Sequence, residues 1–219
     1  MNHHSDRGGD ETSVLAGYML GQLRALFPGD EDEVESLSPY VPEALAEVKN
    51  LVGHIIEWKE RGFDKLVSWQ YATFLYKLGH LCLRSGVGIA ATDRLFLLNK
   101  ALNGLDLHPQ IELPQMFFLS HTNSAVFARA EYSEYSVFHQ NITVGRKGTK
   151  RPTMERYLVM YPASMIIGNC YVRENTVLAP GVRLVDKDTP GNCYVLEDKK
   201  GSVRFREIDH IHATNFFEI

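Results

Sequence analysis

The chain has 219 residues, of which 44% are hydrophobic and 23% charged, a balance typical of a folded globular protein and not of a disordered one. Its net charge of −4 argues against a nucleic-acid partner, which requires a basic surface. No apolar run is long enough to cross a bilayer, the first residues lack the apolar core of a secretory signal, and three scattered cysteines do not form a disulfide framework. We therefore expect a cytoplasmic protein.

The first half of the chain is predicted to be a leader followed by a helical domain. Residues 1–11 are polar and partly acidic, and we expect them to be disordered. Over 12–105 apolar residues recur at spacings of three and four, as on the buried face of a helix. The pattern predicts four helices, which begin near residues 12, 42, 63 and 92. Their apolar stripes are interpreted as core and not as cofactor sites.

From residue 106 to 190 the apolar pattern repeats every six residues. Each repeat carries a large apolar residue and, four positions later, a smaller one, with a lapse at Asp188. The large residues of the clearest stretch are Met160, Ile166, Val172, Leu178 and Leu184. A six-residue period predicts a parallel β-helix, in which three short strands per turn enclose a prism of stacked side chains. The alternative is a β-sandwich with chance spacing.

Two segments depart from the repeat. Residues 145–156 are basic, polar and glycine-containing, so they cannot lie inside the prism and are predicted to form an extruded loop. Residues 191–219 follow the last repeat and contain a predicted hairpin around Lys199-Lys200-Gly201. We expect this tail to cap the open end of the coil, which otherwise exposes unpaired strand edges.

Four short motifs resemble the catalytic half of serine O-acetyltransferases, a family of hexapeptide-repeat acyltransferases. They are Asp-Leu-His-Pro at 106–109, Leu-Ser-His at 119–121, Gln-Asn-Ile-Thr-Val-Gly at 140–145 and Ile-Gly-Asn at 167–169. The resemblance implies an α+β fold in which a helical segment precedes a left-handed parallel β-helix. It also implies transfer of acetyl from acetyl-CoA to a hydroxyl, in a homotrimer or a dimer of trimers.

The resemblance assigns catalysis to His121 as general base and to Asp106 as its orienting partner. An alcohol attacks a thioester efficiently only when a base takes its proton. A carboxylate on the other ring nitrogen fixes the tautomer of the imidazole and stabilises its charged form. The alternative is that His121 is a structural or exposed histidine. His108 and His139 are further candidates for the acceptor site, and their alternatives are a turn residue and a hydrogen-bonded coil position.

Two positions depart from the family pattern. Ser120 stands where the family has an aspartate that helps bind the amino group of serine, and Arg151 stands where it has a second histidine. Both remain candidate acceptor-binding residues. Because a lost carboxylate weakens the case for an amino-acid acceptor, a sugar hydroxyl is an alternative to L-serine. A non-catalytic β-helix that serves as a scaffold is a further alternative.

The implied ligand is acetyl-CoA, and no metal site is expected. Positively charged side chains of the loop suit the phosphates, and coil backbone suits the pantetheine arm; for the basic cluster, the alternative is a solvated loop. The residues expected to contact acetyl-CoA are Gly145, Arg146, Lys147, Lys150, Pro162, Ala163 and Ser164. The pairs His3-His4 and His210-x-His212 lack further ligands at a suitable spacing for a metal.

Overall fold

A computed structural model describes residues 11–219, in which a helical segment precedes a β-solenoid of about four turns. The predicted leader and His3-His4 lie outside the described residues, except that Glu11 is the first residue of the first helix. Within this range no helix is both long and apolar enough to span a membrane.

The helical segment contains the four predicted helices, one additional short α-helix and a 3₁₀ turn at Ser38–Tyr40. The additional helix, α2, is capped by the side chain of Asp30, which accepts a hydrogen bond from Asp32 N at 2.9 Å. Most residues of the predicted apolar stripes are buried, and the last helix is capped by Gly104 in the left-handed region, a conformation that favours glycine. The bounds are α1 Glu11–Leu26, α2 Glu31–Glu35, α3 Val41–His54, α4 Ser68–Arg84 and α5 Ile89–Asn103.

Helix α4 fixes the connection between the helices and the solenoid. Gly79 lets the helix approach closely, because a Cβ atom there would lie 2.9 Å from Cγ of Pro109. The Tyr76 hydroxyl donates to Ile111 O at 2.8 Å and accepts from Leu113 N at 2.9 Å. The residues after α5 are therefore held against the helical segment before the first strand begins.

The solenoid has three faces of parallel strands. Face 1 contains β1 Phe117–Leu119, β3 Ser136–Phe138, β6 Val159–Met160, β9 Thr176–Leu178 and β11 Cys193–Glu197. Face 2 contains β2 Val126–Phe127, β4 Thr143–Gly145, β7 Met165–Ile167 and β10 Arg183–Val185. Face 3 contains β5 Thr153–Met154 and β8 Tyr171–Val172. We call the edge where face 1 meets face 2 the 1/2 corner (120–123, 139–141, 161–163, 179–181) and the next edge the 2/3 corner (146–151, 168–169, 186).

The six-residue period is the register of this coil. The five large residues of the clearest stretch are all fully buried. The smaller companions fit where the chain turns, and two of them bond to that turn: Ser164 Oγ donates to Tyr161 O and Thr176 Oγ1 to Arg173 O, each at 2.7 Å. The predicted fold class is therefore confirmed.

The extruded segment is shorter than 145–156. Gly145 ends β4, and the chain re-enters the coil at β5. Between them, Lys147 and Lys150 exchange backbone hydrogen bonds of 2.9 and 3.2 Å, which closes a tight turn. Because a two-residue strand with one buried residue suffices for a solenoid face, Thr153–Met154 rejoins the prism although a basic, polar stretch precedes it and Glu155 follows it.

The last solenoid edges are covered by side chains and by the tail. Where the six-residue repeat is interrupted, the side chains of Asp186, Asp188 and Thr189 accept hydrogen bonds from backbone N–H groups of the preceding turn at 2.8–2.9 Å. Strand β12, Val203–Glu207, pairs antiparallel with β11. The chain then returns to the helices, where Phe216 O accepts from Ile56 N at 2.9 Å. These contacts occupy strand edges that would otherwise be open to pairing.

Candidate functional site

His121 lies on the 1/2 corner of the first solenoid turn, directly after β1. Its backbone is left-handed, with a φ of 50°, and its side chain is exposed. The ring stands edge-on to the indole of Trp69, with 4.4 Å between ring centroids. A groove between the solenoid and the ends of α4 and α5 is lined in part by Ser68, Trp69, Asn103, His121, Thr122 and Asn123. The predicted base is therefore accessible to a small molecule.

Asp106 lies at the first edge of face 2, where it pairs in parallel with β2. Its neighbours Leu105 and Leu107 are buried, so strand alternation directs the carboxylate outward. One carboxylate oxygen, Oδ2, accepts from Lys100 Nζ at 2.7 Å. Within residues 11–219 no hydrogen bond joins Asp106 to His121, and the dyad stays a prediction.

His139 and Gln140 occupy the same corner in the second turn. Extending the pairing of β1 with β3 by one residue places His139 beside Ser120. His121 and Gln140 lie between two backbone hydrogen bonds that join the first and second turns, one just before these residues and one just after them. The ring of His139 stacks on Tyr161 at 5.0 Å, and burial, with a smaller contribution from His121, lowers the pKa of His139 to about 4. His139 is therefore neutral at pH 7.

Three buried polar atoms, two at this corner and one on the adjacent helix α4, have no hydrogen-bond partner among residues 11–219. They are Trp69 Nε1, His139 Nε2 and Gln140 Oε1, whereas one further such atom in this range, Trp58 Nε1, lies against Phe118. A buried polar group without a partner costs about 1–3 kcal/mol. Their concentration beside His121 marks a place where a bound molecule can supply the missing hydrogen bonds.

The other predicted acceptor residues are in different surroundings. Ser120 is buried next to the base. His108 Nδ1 accepts from Gln110 N at 3.1 Å, so Nε2 carries the proton and donates to Asp93 Oδ1 at 3.0 Å. One ring nitrogen of His108 thus stabilises its own turn, and the other holds the loop to α5. Arg151 lies on the 2/3 corner, away from His121.

The predicted donor-binding loop forms the 2/3 corner. Lys147 Nζ donates to Asp186 Oδ2 at 2.6 Å, and this bond lowers the pKa of the carboxyl group and raises that of the amine. Arg146 and Lys150 have no carboxylate within 4 Å among the described residues. The corner therefore presents two cations that are available to an anionic ligand.

The remaining donor-binding candidates lie on the 1/2 corner of the third turn. Ala163 is exposed and left-handed, with a φ of 61°, and its N–H donates to Gln140 O at 3.1 Å. Ser164 is fully buried, and its hydroxyl is used within the coil. Pro162 and Ala163 thus stack next to Gln140, on the same edge as His121. Face 2 separates this edge from the basic loop.

The sequence did not reveal Trp69 as a residue of the site, and it assigned no role to Gln140. Trp69 does not belong to the buried apolar stripe of α4. A large aromatic residue outside such a stripe is the sequence feature that could have marked it as a site residue. Gln140 stood inside a recognised motif, but nothing in a single sequence shows that its amide oxygen is buried without a partner among residues 11–219.

No family model matches the chain. A curated relative, the serine acetyltransferase of Synechococcus elongatus, is 26% identical over 160 residues, which are 68% of this chain and 62% of the relative. The chain thus spans less than two thirds of the length of that protein.

Solved serine acetyltransferases share the fold. The enzyme of Neisseria gonorrhoeae matches with a TM-score of 0.73 at 17% identity, over 95% of this chain and 84% of the other. That of Brucella abortus matches with a TM-score of 0.69 at 18% identity, over 92% and 85%. A second structure of the Brucella protein, with coenzyme A bound, has a TM-score of 0.67 at 17% identity, over 93% and 85%. The predicted likeness to serine acetyltransferases is confirmed.

Proposed function

We propose that this chain is an acetyl-CoA-dependent O-acetyltransferase that transfers acetyl directly to a hydroxyl of a small acceptor. The observation that carries the proposal is the position of His121, an exposed imidazole in a groove of a serine acetyltransferase-like fold. The proposed location is the cytoplasm.

The proposed mechanism uses His121 as the base. As the acceptor oxygen attacks the thioester carbonyl carbon, the imidazole takes the hydroxyl proton. The carbon–sulfur bond then breaks, and the imidazolium returns the proton to the leaving thiolate, so an acetyl ester and free CoA are the products. Asp106 orients the ring through Oδ1, since Lys100 occupies only Oδ2.

The proposed donor site is shared between subunits. Arg146 and Lys150 suit the phosphates of CoA, because both are exposed cations without a carboxylate partner in the described residues. They lie across face 2 from His121, so we place the basic loop of one subunit against the 1/2 corner of its neighbour. A homotrimer, alone or as a dimer of trimers, repeats this contact three times around one axis.

The acceptor proposed from the relatives is L-serine. A Neisseria gonorrhoeae serine acetyltransferase of this fold, 19% identical, was solved in complex with serine. Ser120 argues for a sugar hydroxyl instead, because the neighbour of the base carries no charge here. Ser120 and Arg151 together motivate the remaining alternative, a β-helix that binds a partner without catalysis.

The experiment compares the unaltered protein with His121→Ala. CoA release from acetyl-CoA is measured against a panel of amino acids and sugars. We expect His121→Ala to lower kcat by about 10²- to 10⁴-fold, the usual contribution of a general base, without changing the Kd for CoA or the oligomeric state.

The matched control is His210→Ala, since His210 is also exposed but lies in the tail. It is expected to keep full activity. Near-normal turnover by His121→Ala contradicts the assignment of the base. CoA binding by the unaltered protein, with no turnover of any acceptor, supports the non-catalytic scaffold.

A further inference from the structure

We infer that the acceptor is an uncharged polyhydroxyl compound of the sugar class, and that Trp69 and Gln140 select it. This inference rests on the proposed O-acetyltransferase function and concerns the same groove, which Trp69 lines, together with the adjoining solenoid turn that carries Gln140. It assigns specificity to two side chains that the resemblance leaves without a role.

The first argument is the charge of the groove. Apart from His121, its polar lining consists of a serine, a threonine and two asparagines together with the indole of Trp69. A free amino acid brings an ammonium and a carboxylate, and stripping either of water without an opposite charge is costly. The nearby ions Lys100 and Asp106 already neutralise each other at 2.7 Å. The groove therefore favours a neutral acceptor.

The second argument is the set of unpaired atoms. Trp69 Nε1 is a donor only, and Gln140 Oε1 is an acceptor only. Each hydroxyl offers one donor and two acceptor lone pairs, so adjacent hydroxyls can satisfy both atoms and the unpaired Nε2 of neutral His139. An amino acid can meet the same atoms only by placing its carboxylate on Trp69 Nε1 and its ammonium on Gln140 Oε1, so both ions would face neutral partners. Hydroxyl groups satisfy the set without burying a charge.

The third argument is the shape of the contact. The indole of Trp69 is half-buried and stands edge-on to the base, so it forms an apolar wall of the groove. Such a ring packs against the C–H face of a sugar while its N–H bonds to a hydroxyl. A ring held there presents one of its hydroxyls to His121.

The first experiment measures kcat/KM for methyl α-D-glucopyranoside, N-acetylglucosamine and L-serine with acetyl-CoA. We expect at least one sugar to be about tenfold or more better than L-serine, the discrimination that one or two well-placed hydrogen bonds supply. A preference for L-serine overturns the inference and leaves the proposed function intact. Failure to release CoA with any acceptor overturns the proposed function itself.

The second experiment tests the two side chains. Trp69→Phe removes the indole N–H and keeps an aromatic ring, and Gln140→Leu removes the acceptor. Each is expected to raise KM for the preferred sugar by about tenfold, while the Kd for CoA is unchanged. The control is Trp58→Phe, which removes the unpaired indole N–H outside the groove and is expected to leave KM unaltered. Equal effects at Trp58 and Trp69 contradict the inference.

A gain-of-charge variant provides an independent measurement. Ser120→Asp adds a carboxylate next to the base, and we expect it to shift the kcat/KM ratio toward L-serine. Ser120→Asn has the same size without the charge and is expected to leave that ratio unchanged. A shift of equal size in both variants shows that volume, and not charge, governs the choice, and overturns the inference.

Discussion

Two corners of the same solenoid differ in charge and in burial. The 1/2 corner carries no Asp, Glu, Lys or Arg, and together with the adjacent Trp69 it holds three buried polar atoms that have no partner among residues 11–219. The 2/3 corner consists of exposed charges, one pair of which is closed by Lys147 and Asp186. Buried unpaired atoms select by hydrogen-bond geometry, whereas exposed cations attract any anion and do so through water.

The difference is the reason for proposing a site shared between subunits. The proposal assigns hydroxyl recognition and proton transfer to the 1/2 corner, and phosphate binding to the 2/3 corner. Because face 2 lies between the two corners of one chain, the proposal requires the second corner to come from a neighbouring subunit. The comparison therefore predicts separable defects in affinity and in chemistry.

Among the further variants that separate the two corners, the largest expected effect is on donor affinity. The double variant Arg146→Ala with Lys150→Ala is expected to raise the Kd for CoA by about 100-fold at low salt, roughly tenfold for each charge removed. The loss is expected to shrink as salt increases, since these cations are exposed and screened. Titration calorimetry at two salt concentrations measures it.

The control is Lys199→Ala with Lys200→Ala, which removes two exposed cations from the hairpin turn of the tail. An unchanged Kd in this control, together with a raised Kd in the loop variant, locates the phosphates on the 2/3 corner. Equal losses in both variants indicate only a general electrostatic effect.

Subunit mixing tests whether the corners meet between chains. His121→Ala chains lack the base, and chains with both loop substitutions lack the donor contacts. Co-expressed in equal amounts, they are expected to rebuild about a quarter of the sites, because each site takes one corner from each of two subunits of a closed ring. Turnover at low acetyl-CoA is the measurement. Activity no greater than the sum of the separate variants places each site within one chain.

Much of the fold could be predicted because its determinants are periodic. The six-residue register from Met160 to Leu184 follows directly from burial at every inward position. The ends of the extruded segment could not be predicted as accurately. Polar Thr153 and buried Met154 form a strand only because the preceding and following turns offer backbone partners. The left hand of the coil came from the resemblance, not from the periodicity.

The site was predictable only in part. The motifs pointed to His121, and the structure places it in a groove. Trp69 comes from a helix about fifty residues earlier in the chain, and only the folded structure brings it within 4.4 Å of that ring. For Asp106 the motif was the weaker guide, because a sequence pattern cannot reveal that Lys100 already pairs with its carboxylate.

The smallest expected effect is a difference between the corners in their response to acid. The folded-state pKa of His139 is lowered to about 4 from an ordinary value near 6.5, so its neutral form contributes stability that is full above pH 6.5 and is lost as the pH falls toward 4. The pKa of Asp186 is lowered from 3.8, so its contribution persists down to about pH 4 and is lost only below that. The 1/2 corner therefore weakens first.

The measurement is the melting temperature between pH 7 and pH 3. His139→Gln is expected to flatten the decline between pH 6.5 and pH 4 and to leave the decline below pH 4 unchanged. Asp186→Asn is expected to do the reverse, and it serves as the matched control on the other corner. If the His139→Gln curve runs parallel to that of the unaltered protein, water reaches the protonated ring at this corner. The contrast between a buried and an exposed corner is then wrong for His139.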